Sequence, residues 1–353
     1  MKKAKFIVQA EGRGHFTQAY ELAQYLESRN ITVSEIWITY NYRPTPTYFL
    51  EKYSSKIKYF HSPTFSYDSN QKGLNIFKTF LKQTIFLPRY IQSIYNLKNV
   101  SEKECDYIFN FYEPLAGLAQ LFVTNDSLKY IPISHHFYLT HPDFQLKSKH
   151  SFAKNWLIWL NKIVSINSYC VLALSFRPAK AAFSNIKVIP PLLKKTIIRS
   201  IPETQNYVLA YSVNQGYLNE LLLSHQKNSD YIVHYFGDVK EDSQPHPNFY
   251  IHKADATLFE KYLVKCSVYM STAGFDSIAE ALYLQKKIIL VPVRNHLEQY
   301  NNALDAQNTN KVLIAEHFDL SIIKQDFLEN QTSFDSTWLS SVEIYLNQIF
   351  DNQ

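Results

Sequence analysis

Residues 270–303 read MSTAGFDSIAEALYLQKKIILVPVRNHLEQYNNA and carry the strongest pattern in the chain. Cys266–Met270 has the pattern of a short buried strand, Ser271–Gly274 that of a tight turn, and Phe275–Leu284 that of a helix with apolar residues at helical spacing. A further apolar strand follows and ends at Pro292. This order places the open amides of a helix N-terminus at the carboxyl end of a strand, where phosphate groups bind.

A glutamate follows this turn in the predicted helix. Glu280 lies six residues after Gly274, so it can accept hydrogen bonds from the paired hydroxyls of a ribose whose diphosphate occupies the turn. The alternative is an ordinary βαβ unit with a solvated glutamate. Another helix begins after Pro292 at the same edge of the sheet. Its first residues include Glu298, Gln299 and Asn302, whose side chains suit contacts with sugar hydroxyls. These polar residues favour the interpretation as a nucleotide-sugar site.

The combined pattern resembles a known signature. Ser-x-Ala-Gly-x-x-Ser-Ile-x-Glu, an apolar strand ending in Pro, and His-x-x-Gln-x-x-Asn-Ala are similar to the donor-binding signature of GT-B glycosyltransferases. The pattern is closest to family 28, whose typical member adds N-acetylglucosamine to lipid I. The resemblance implies an α/β fold with two Rossmann-like, doubly wound domains that face each other across a cleft. It implies donor contacts from Ser271, Thr272, Ala273, Gly274, Glu280, His296, Glu298, Gln299 and Asn302.

The length of 353 residues suits two domains. We predict an N-terminal acceptor-binding domain over 1–195 and a C-terminal donor-binding domain over 203–336, joined by a linker that begins at Pro190. A C-terminal helix within 337–353 is expected to pack back on the first domain, as is common in GT-B folds. In the second domain, the glycine-rich loop usual in the family is reduced to Gly216, and His252–Thr257 occupies the place where such enzymes hold the nucleobase.

Composition and charge narrow the class of protein. The net charge of +5 is too small to indicate nucleic-acid binding, but it suits work beside anionic lipid or on a diphosphate. The three cysteines are widely spaced and form no metal-ligand pattern, which indicates a cytoplasmic protein with reduced thiols. The N-terminus lacks a signal-peptide pattern, and no apolar run reaches the ~18 residues that a membrane span needs.

The first glycine loop follows a predicted strand over Lys5–Ala10. Gly12, Arg13, Gly14 and His15 form a Gly-x-Gly-His sequence that resembles the acceptor-facing first loop of many GT-B transferases. The loop lacks the third glycine of a dinucleotide fingerprint, so no nicotinamide or flavin site is predicted. His15 is either a histidine that binds backbone at the helix start or the general base that deprotonates the acceptor hydroxyl.

Other polar residues follow later strands of the first domain. Glu113 follows the strand ending at Phe111 and either orients His15, serves as the base, or only caps the helix behind Pro114. His135 and His136 follow the next strand. Their spacing does not fit a zinc site, so we predict acceptor contacts and no metal.

Two segments combine aromatic and basic residues at helical spacing. Residues 73–98 carry Lys78, Lys82 and Arg89 among aromatic and aliphatic side chains, and residues 154–162 carry Trp156 and Trp159. Such segments either lie in a membrane interface or pack on their own domain.

These features predict a glycosyltransferase that moves a sugar from a nucleotide diphosphate sugar, with UDP-sugar favoured, to a hydroxyl of a lipid or lipid-linked acceptor. The family resemblance implies inversion in a single displacement. No cofactor is expected beyond the donor, and contact with the inner face of the cell membrane is expected. The alternatives are a nucleotide-sugar hydrolase, a non-hydrolysing epimerase of the same fold, and a non-catalytic nucleotide-sugar-binding subunit.

Overall fold

The computed structural model describes residues 2–41, 44–64, 85–148, 151–180, 182–212, 216–309, 312–324 and 336–351. These residues form two compact units. The first holds the described part of Met1–Ser66, Asn75–Leu192 and Ser341–Gln353, and the second holds that of Leu193–Ser340. The chain changes unit between Leu192 and Leu193, slightly before the end of the domain drawn from the sequence.

The first unit is built on a sheet of seven parallel strands in the order β3-β2-β1-β4-β5-β6-β7. The strands are β1 Lys3–Val8, β2 Thr32–Thr39, β3 Ile57–Phe60, β4 Tyr107–Phe111, β5 Lys129–Ser134, β6 Val171–Leu174 and β7 Ile186–Ile189. The helices up to Val164 are α1 Gly14–Ser28, α2 Thr47–Tyr53, α3 Leu87–Glu102, α4 Pro114–Ala119, α5 His136–Leu139 and α6 Ser151–Val164. Short 3-10 helices span Ser54–Lys56 and Gln120–Phe122.

The second unit repeats this plan with the strand order β10-β11-β9-β8-β12-β13-β14, in which only β10 and β11 pair antiparallel. Its strands are β8 Gln205–Ser212, β9 Val233–Gly237, β10 Ser243–His246, β11 Phe249–Lys253, β12 Cys266–Ser271, β13 Lys287–Leu290 and β14 Val312–Ile314. Its helices are α7 Lys195–Arg199, α8 Gly216–Lys227, α9 Ala256–Lys265, α10 Phe275–Tyr283, α11 Leu297–Gln307 and α12 Ser336–Ser340, with a 3-10 helix at Leu320–Lys324.

The sequence pattern does not predict the strands β3, β10 and β14. All three lie at the edge of a sheet and are short. An edge strand is paired on one side only, so it lacks the apolar run by which a buried central strand is recognised. Pro245, which cannot donate to a strand ladder, lies within β10 and is tolerated because that strand is an edge.

The last helix, α13 (Val342–Asp351), belongs to the first unit. The Tyr25 hydroxyl donates to Asn347 Oδ1 over 2.7 Å, and the Phe350 ring lies 5.3 Å from the Tyr107 ring. The sequence pattern predicted one helix from Thr337, but the structure has a break after Ser340, and the residues before it form α12 of the second unit.

The order of each sheet creates one position suited to ligands. In the first unit, β2 and β3 are added on one side of β1, and β4 is then added on its other side. In the second unit, β9 lies on one side of β8 and β12 on the other. Doubly wound folds bind ligands beyond the carboxyl ends of the strands at such points. Gly12–His15 follows β1, Tyr112 and Glu113 follow β4, and Thr272–Gly274 follows β12. The predicted loops therefore lie at the two switch points.

None of the helices that the described residues form is long and apolar enough to cross a bilayer. The basic and aromatic segment 73–98 lies in part outside the described residues. From Leu87 it forms the start of α3, which exposes Leu87, Ile91 and Tyr95.

Glu113 is fully buried and caps α4. Its Oε2 accepts a hydrogen bond from the Ala116 amide over 2.7 Å, and its Oε1 accepts one from the Ser62 hydroxyl. Burial raises the pKa of the Glu113 carboxyl from 4.5 to about 7, although the hydrogen bonds from Ser62 and from the backbone of Ala116 and Leu115 lower it. The sequence left Glu113 three roles, and these contacts are those of a helix cap.

Replacing Glu113 tests this burial through the pH dependence of stability. Between about pH 4.5 and 7 the folded carboxyl retains a proton that the unfolded one has lost, so stability falls as pH rises through this window. The variant Glu113→Gln keeps the shape but cannot ionise. We expect wild type to lose stability relative to Glu113→Gln by on the order of a few kcal/mol from pH 4.5 to 8.

Thermal denaturation of both proteins across that range measures the effect. Glu104→Gln is the control, because Glu104 is an exposed glutamate of the same unit. Parallel pH profiles for wild type and Glu113→Gln would contradict the assignment.

Candidate functional site

The turn behind β12 is held on two sides by hydrogen bonds. The Thr272 amide donates to the Tyr211 carbonyl of β8 over 3.3 Å, and the Gly274 amide donates to the Thr272 carbonyl over 2.8 Å. From α11, Asn302 Nδ2 donates to the Ala273 carbonyl over 3.0 Å. Because Ser271, Thr272 and Ala273 are buried as well, the turn is fixed before any ligand arrives.

Gly274 lies at the N-terminus of α10 with φ −75° and ψ 133°, a conformation that any residue adopts. A Cβ there would meet only Ser277 Oγ, at 3.7 Å. No described glycine has positive φ. Gly274 is the N-cap of α10, where glycine is common, and the absence of a side chain leaves the backbone accessible at this position.

The N-terminus of α10 provides amides that have no partner within the helix. Asp276 lies in the first turn of α10, where its carboxylate is itself stabilised by the helix dipole. It reduces the positive potential at this end. The amides of Thr272 and Gly274 already donate to carbonyls, so the helix N-terminus itself is the part of this site suited to an anion.

Glu280 is buried within α10 and is paired with a lysine. Lys194 Nζ lies 3.2 Å from Glu280 Oε1 and 3.7 Å from Glu260 Oε2 of α9. Burial raises the pKa of Glu280, Lys194 lowers it, and Glu260 raises it. The alternative of a solvated glutamate does not hold, because this residue is only 3% exposed.

The polar residues of the second half of the motif hold the backbone. His296 Nδ1 accepts from the Gln299 amide over 3.4 Å as the cap of α11, and Gln299 Oε1 accepts from the Val293 amide over 3.0 Å. Asn302 holds the glycine turn, as described above, and Glu298 lies partly exposed in the first turn of α11. Contacts of these residues with sugar hydroxyls stay a prediction.

The loop predicted to hold a nucleobase, His252–Thr257, is also fixed by its backbone. The Ala254 amide donates to the Gly237 carbonyl over 3.0 Å, and the Lys253 amide donates to Asp242 Oδ1 over 2.7 Å. Gly216 is the first residue of α8, and the loop that leads to it lies largely outside the described residues.

In the first unit, His15 lies in the first turn of α1, and its Nδ1 is 3.0 Å from the Gln9 carbonyl oxygen. A carbonyl can only accept, so Nδ1 carries the proton and the basic lone pair lies on Nε2. The Ala10 amide donates to Thr39 Oγ1 and Asn41 Nδ2 donates to the Ala10 carbonyl, which holds this loop between β1 and β2.

Arg13 directly precedes α1, Gly14 is its first residue, and Gly12 is exposed. A Cβ at Gly12 would meet nothing within 4 Å. As at Gly274, the fold of the described residues does not itself require glycine here.

The two histidines after β5 differ in their surroundings. His135 is buried, and its Nδ1 donates to the Leu174 carbonyl over 2.7 Å, which is a structural contact. His136 is partly exposed and stacks on the Tyr112 ring at a centroid distance of 3.9 Å. Tyr112 has φ 61°, and its hydroxyl donates to Asn161 Oδ1 over 2.6 Å. His136 is the better placed of the two for contact with an acceptor.

Within the described part of the chain, no group of three or more His, Cys, Asp and Glu side chains is arranged to hold a metal ion. Lys194 was missed as a site residue. The sequence analysis assigned it to the linker, and no local pattern connects it to Glu280, which lies far along the chain.

Comparison with known proteins identifies the family. Residues 3–331 match the model described as Glycosyl transferase family 1. The glycotransferase of kitacinnamycin has a TM-score of 0.57 at 15% identity, covering 98% of this chain and 90% of that chain. Arabidopsis thaliana UGT89C1 complexed with UDP-L-rhamnose has a TM-score of 0.60 at 13% identity, covering 99% of this chain and 97% of that chain. The S. aureus MnaA-UDP co-structure has a TM-score of 0.58 at 13% identity, with the same coverages.

No curated protein matches the chain. The solved structures are too different in sequence to show more than the fold, and they confirm the prediction of two Rossmann-like domains of the GT-B type. The likeness to family 28 within that fold stays an inference from the motif. Since the family model spans most of the chain, the chain belongs to glycosyl transferase family 1 and is a glycosyltransferase.

Proposed function

We propose that this glycosyltransferase moves a sugar from a UDP-sugar to a hydroxyl of a lipid or lipid-linked acceptor, with inversion at the anomeric carbon. The observation that carries the proposal is the braced turn Thr272–Gly274, with the paired carboxylate Glu280 in the helix behind it. A pre-formed turn at the N-terminus of α10, followed in that helix by a buried carboxylate, suits a diphosphate joined to a ribose. UDP is chosen because UDP and UDP-L-rhamnose occupy structural neighbours of this chain.

In this proposal the donor is held by the second unit. The diphosphate binds at the N-terminus of α10, next to Gly274, and the Glu280 carboxylate accepts hydrogen bonds from the ribose hydroxyls. Helix N-terminal amides stabilise the negative charge that develops on the leaving UDP, so the mechanism proceeds without a metal ion or another cofactor.

The acceptor is activated by His15. Its Nε2 lone pair takes the proton of the acceptor hydroxyl while that oxygen bonds to the anomeric carbon and the bond from this carbon to the UDP oxygen breaks. The Gln9 carbonyl keeps the proton on Nδ1, which fixes the ring and leaves the basic nitrogen for the acceptor. Glu113 is less suited to this role because it is buried and both of its oxygens already accept hydrogen bonds.

An aromatic surface on α6 supports a membrane-bound acceptor. Phe152, Trp156 and Trp159 are exposed, and the rings of Trp156 and Trp159 are 4.9 Å apart. Lys154 and Lys162 on the same helix are exposed as well. Tryptophan prefers the membrane interface, and lysine is attracted to anionic lipid. We infer that this helix lies on the inner face of the cell membrane.

Donor binding is the first test. We expect Gly274→Ala to raise the Kd for UDP about 10-fold or more, because the added methyl group occupies the space of the phosphates. Thermal stability should change by less than about 0.5 kcal/mol, since the methyl meets only Ser277 Oγ. Isothermal titration calorimetry measures the Kd.

Gly12→Ala is the matched control, because it adds the same methyl group to open space in the first unit. Unchanged UDP binding by Gly274→Ala would refute the placement of the diphosphate.

Catalysis is the second test. General-base assistance is worth about 10² to 10⁴ in rate, so His15→Ala should reduce UDP release by that factor while the Kd for UDP stays close to wild type. UDP release is measured from a panel of UDP-sugars with and without a lipid extract, and with and without a chelator.

His317→Ala, at an exposed histidine of the second unit, is the control. Full activity of His15→Ala together with loss of activity in Glu113→Gln would assign the base to the carboxylate. UDP release that does not depend on the lipid extract would indicate a hydrolase. UDP binding without release of UDP from any UDP-sugar would indicate a binding subunit.

Membrane contact is the third test. Flotation with vesicles that contain phosphatidylserine should carry wild type, and the double variant Trp156→Ser and Trp159→Ser should bind on the order of 10-fold more weakly because two interfacial anchors are lost. Added salt should weaken the contribution of Lys154 and Lys162. Leu223→Ser, at an exposed apolar residue of the second unit, is the control. Equal flotation of the double variant and wild type would remove the membrane role of α6.

A further inference from the structure

Lys194 brings together residues from three elements of the second unit. It directly precedes α7, while Glu260 lies on α9 and Glu280 on α10. The side chains of Lys194 and Glu260 are 18% and 19% exposed, and that of Glu280 is 5% exposed. Glu280 is therefore the innermost member of this group, and Lys194 is the cation that reaches it.

The group holds two carboxylates and one ammonium. Burial and the Glu260 carboxylate both disfavour the charged form of Glu280, and Lys194 favours it. Tyr269 also lies within reach of Glu280, but burial raises the pKa of its phenol, so that it stays neutral. Lys194 is thus the cation that stabilises the charged form of Glu280.

The charge of Glu280 matters for its ligand. Ribose hydroxyls are donors, and an ionised carboxylate offers two acceptor oxygens, whereas a protonated carboxyl keeps one oxygen as a donor. Hydrogen bonds to an ionised acceptor are also roughly twice as strong as neutral ones. Lys194 Nζ lies nearest to Oε1, so an ionised Glu280 can accept from a ligand hydroxyl through its second oxygen.

We propose that Lys194 is a positioning residue for the nucleotide, which keeps the Glu280 carboxylate charged and fixed for the ribose hydroxyls. The proposal rests on the assignment of Glu280 to the ribose made above. Lys194 itself does not touch the donor. It acts through Glu280, while Glu260 sets how strongly the ammonium is shared between the two carboxylates.

The test is the pH dependence of UDP binding in Lys194→Met, whose side chain keeps most of the volume and loses the charge. Without the ammonium, the pKa of Glu280 rises further, so the variant carboxyl becomes charged at a higher pH than that of wild type. We expect the Kd ratio of variant to wild type to be about 10 or more at pH 6 and to fall toward about 2 at pH 9. Using the ratio cancels titration of UDP itself.

Two further variants separate a charge effect from a loss of shape. Lys194→Arg, which keeps a cation, should restore wild-type binding across the pH range. Glu280→Gln, which cannot ionise, should bind UDP more weakly with a ratio to wild type that does not fall as the pH rises. Circular dichroism confirms that each variant is folded, and Lys194→Gln replaces Lys194→Met if the latter does not fold.

The outcomes separate this inference from the function on which it rests. A Kd ratio for Lys194→Met that is constant with pH, whether near one or large, overturns the role of Lys194, since a structural defect would not follow the titration of Glu280. If Glu280→Gln binds UDP as tightly as wild type, the assignment of Glu280 to the ribose fails instead.

Discussion

Both units depend on one constraint, which is that a strand inside a parallel sheet is covered on both faces and can meet a ligand only at its ends. All five residues of β4 are buried, as are the last five of β1. Polar groups are consequently displaced to the residues that follow each strand. Gln9 follows β1 at the switch point of the first sheet, and the turn at Gly274 follows β12 at that of the second.

The polar side chains at these points first satisfy the backbone around them. Asn302 holds the Ala273 carbonyl, Gln299 holds the Val293 amide, and His15 binds the Gln9 carbonyl. Loops at the end of a sheet contain amides and carbonyls that no strand neighbour satisfies, and leaving them buried without partners would cost stability. The side chains of the motif therefore hold the loops of the site in one conformation. This limits the reorganisation needed when a ligand binds.

Glu113 and Glu280 are both buried, and they show how different surroundings affect two identical side chains. Glu113 is surrounded by neutral donors, the Ser62 hydroxyl and backbone amides, and burial raises its pKa to about 7. Glu280 faces the ammonium of Lys194, which opposes the same effect of burial. The pKa of both carboxyls is raised by burial, but only at Glu280 does a neighbouring cation favour the ionised form, which is the stronger acceptor for hydroxyl groups.

The sequence by itself determined the βαβ pattern around the glycine turn, the two-domain α/β fold and the buried central strands, because these depend on local periodicity and on the spacing of glycine, proline and polar residues. It also determined that His15 and Glu113 come directly after strands. The edge strands β3, β10 and β14 were not predicted, since half-exposed strands carry little periodic signal. Only the tertiary structure decided that Glu113 is buried as a cap, that His135 and His136 differ, and that Lys194 reaches Glu280. Those facts depend on burial and on contacts between residues far apart in the chain, which local sequence patterns do not encode.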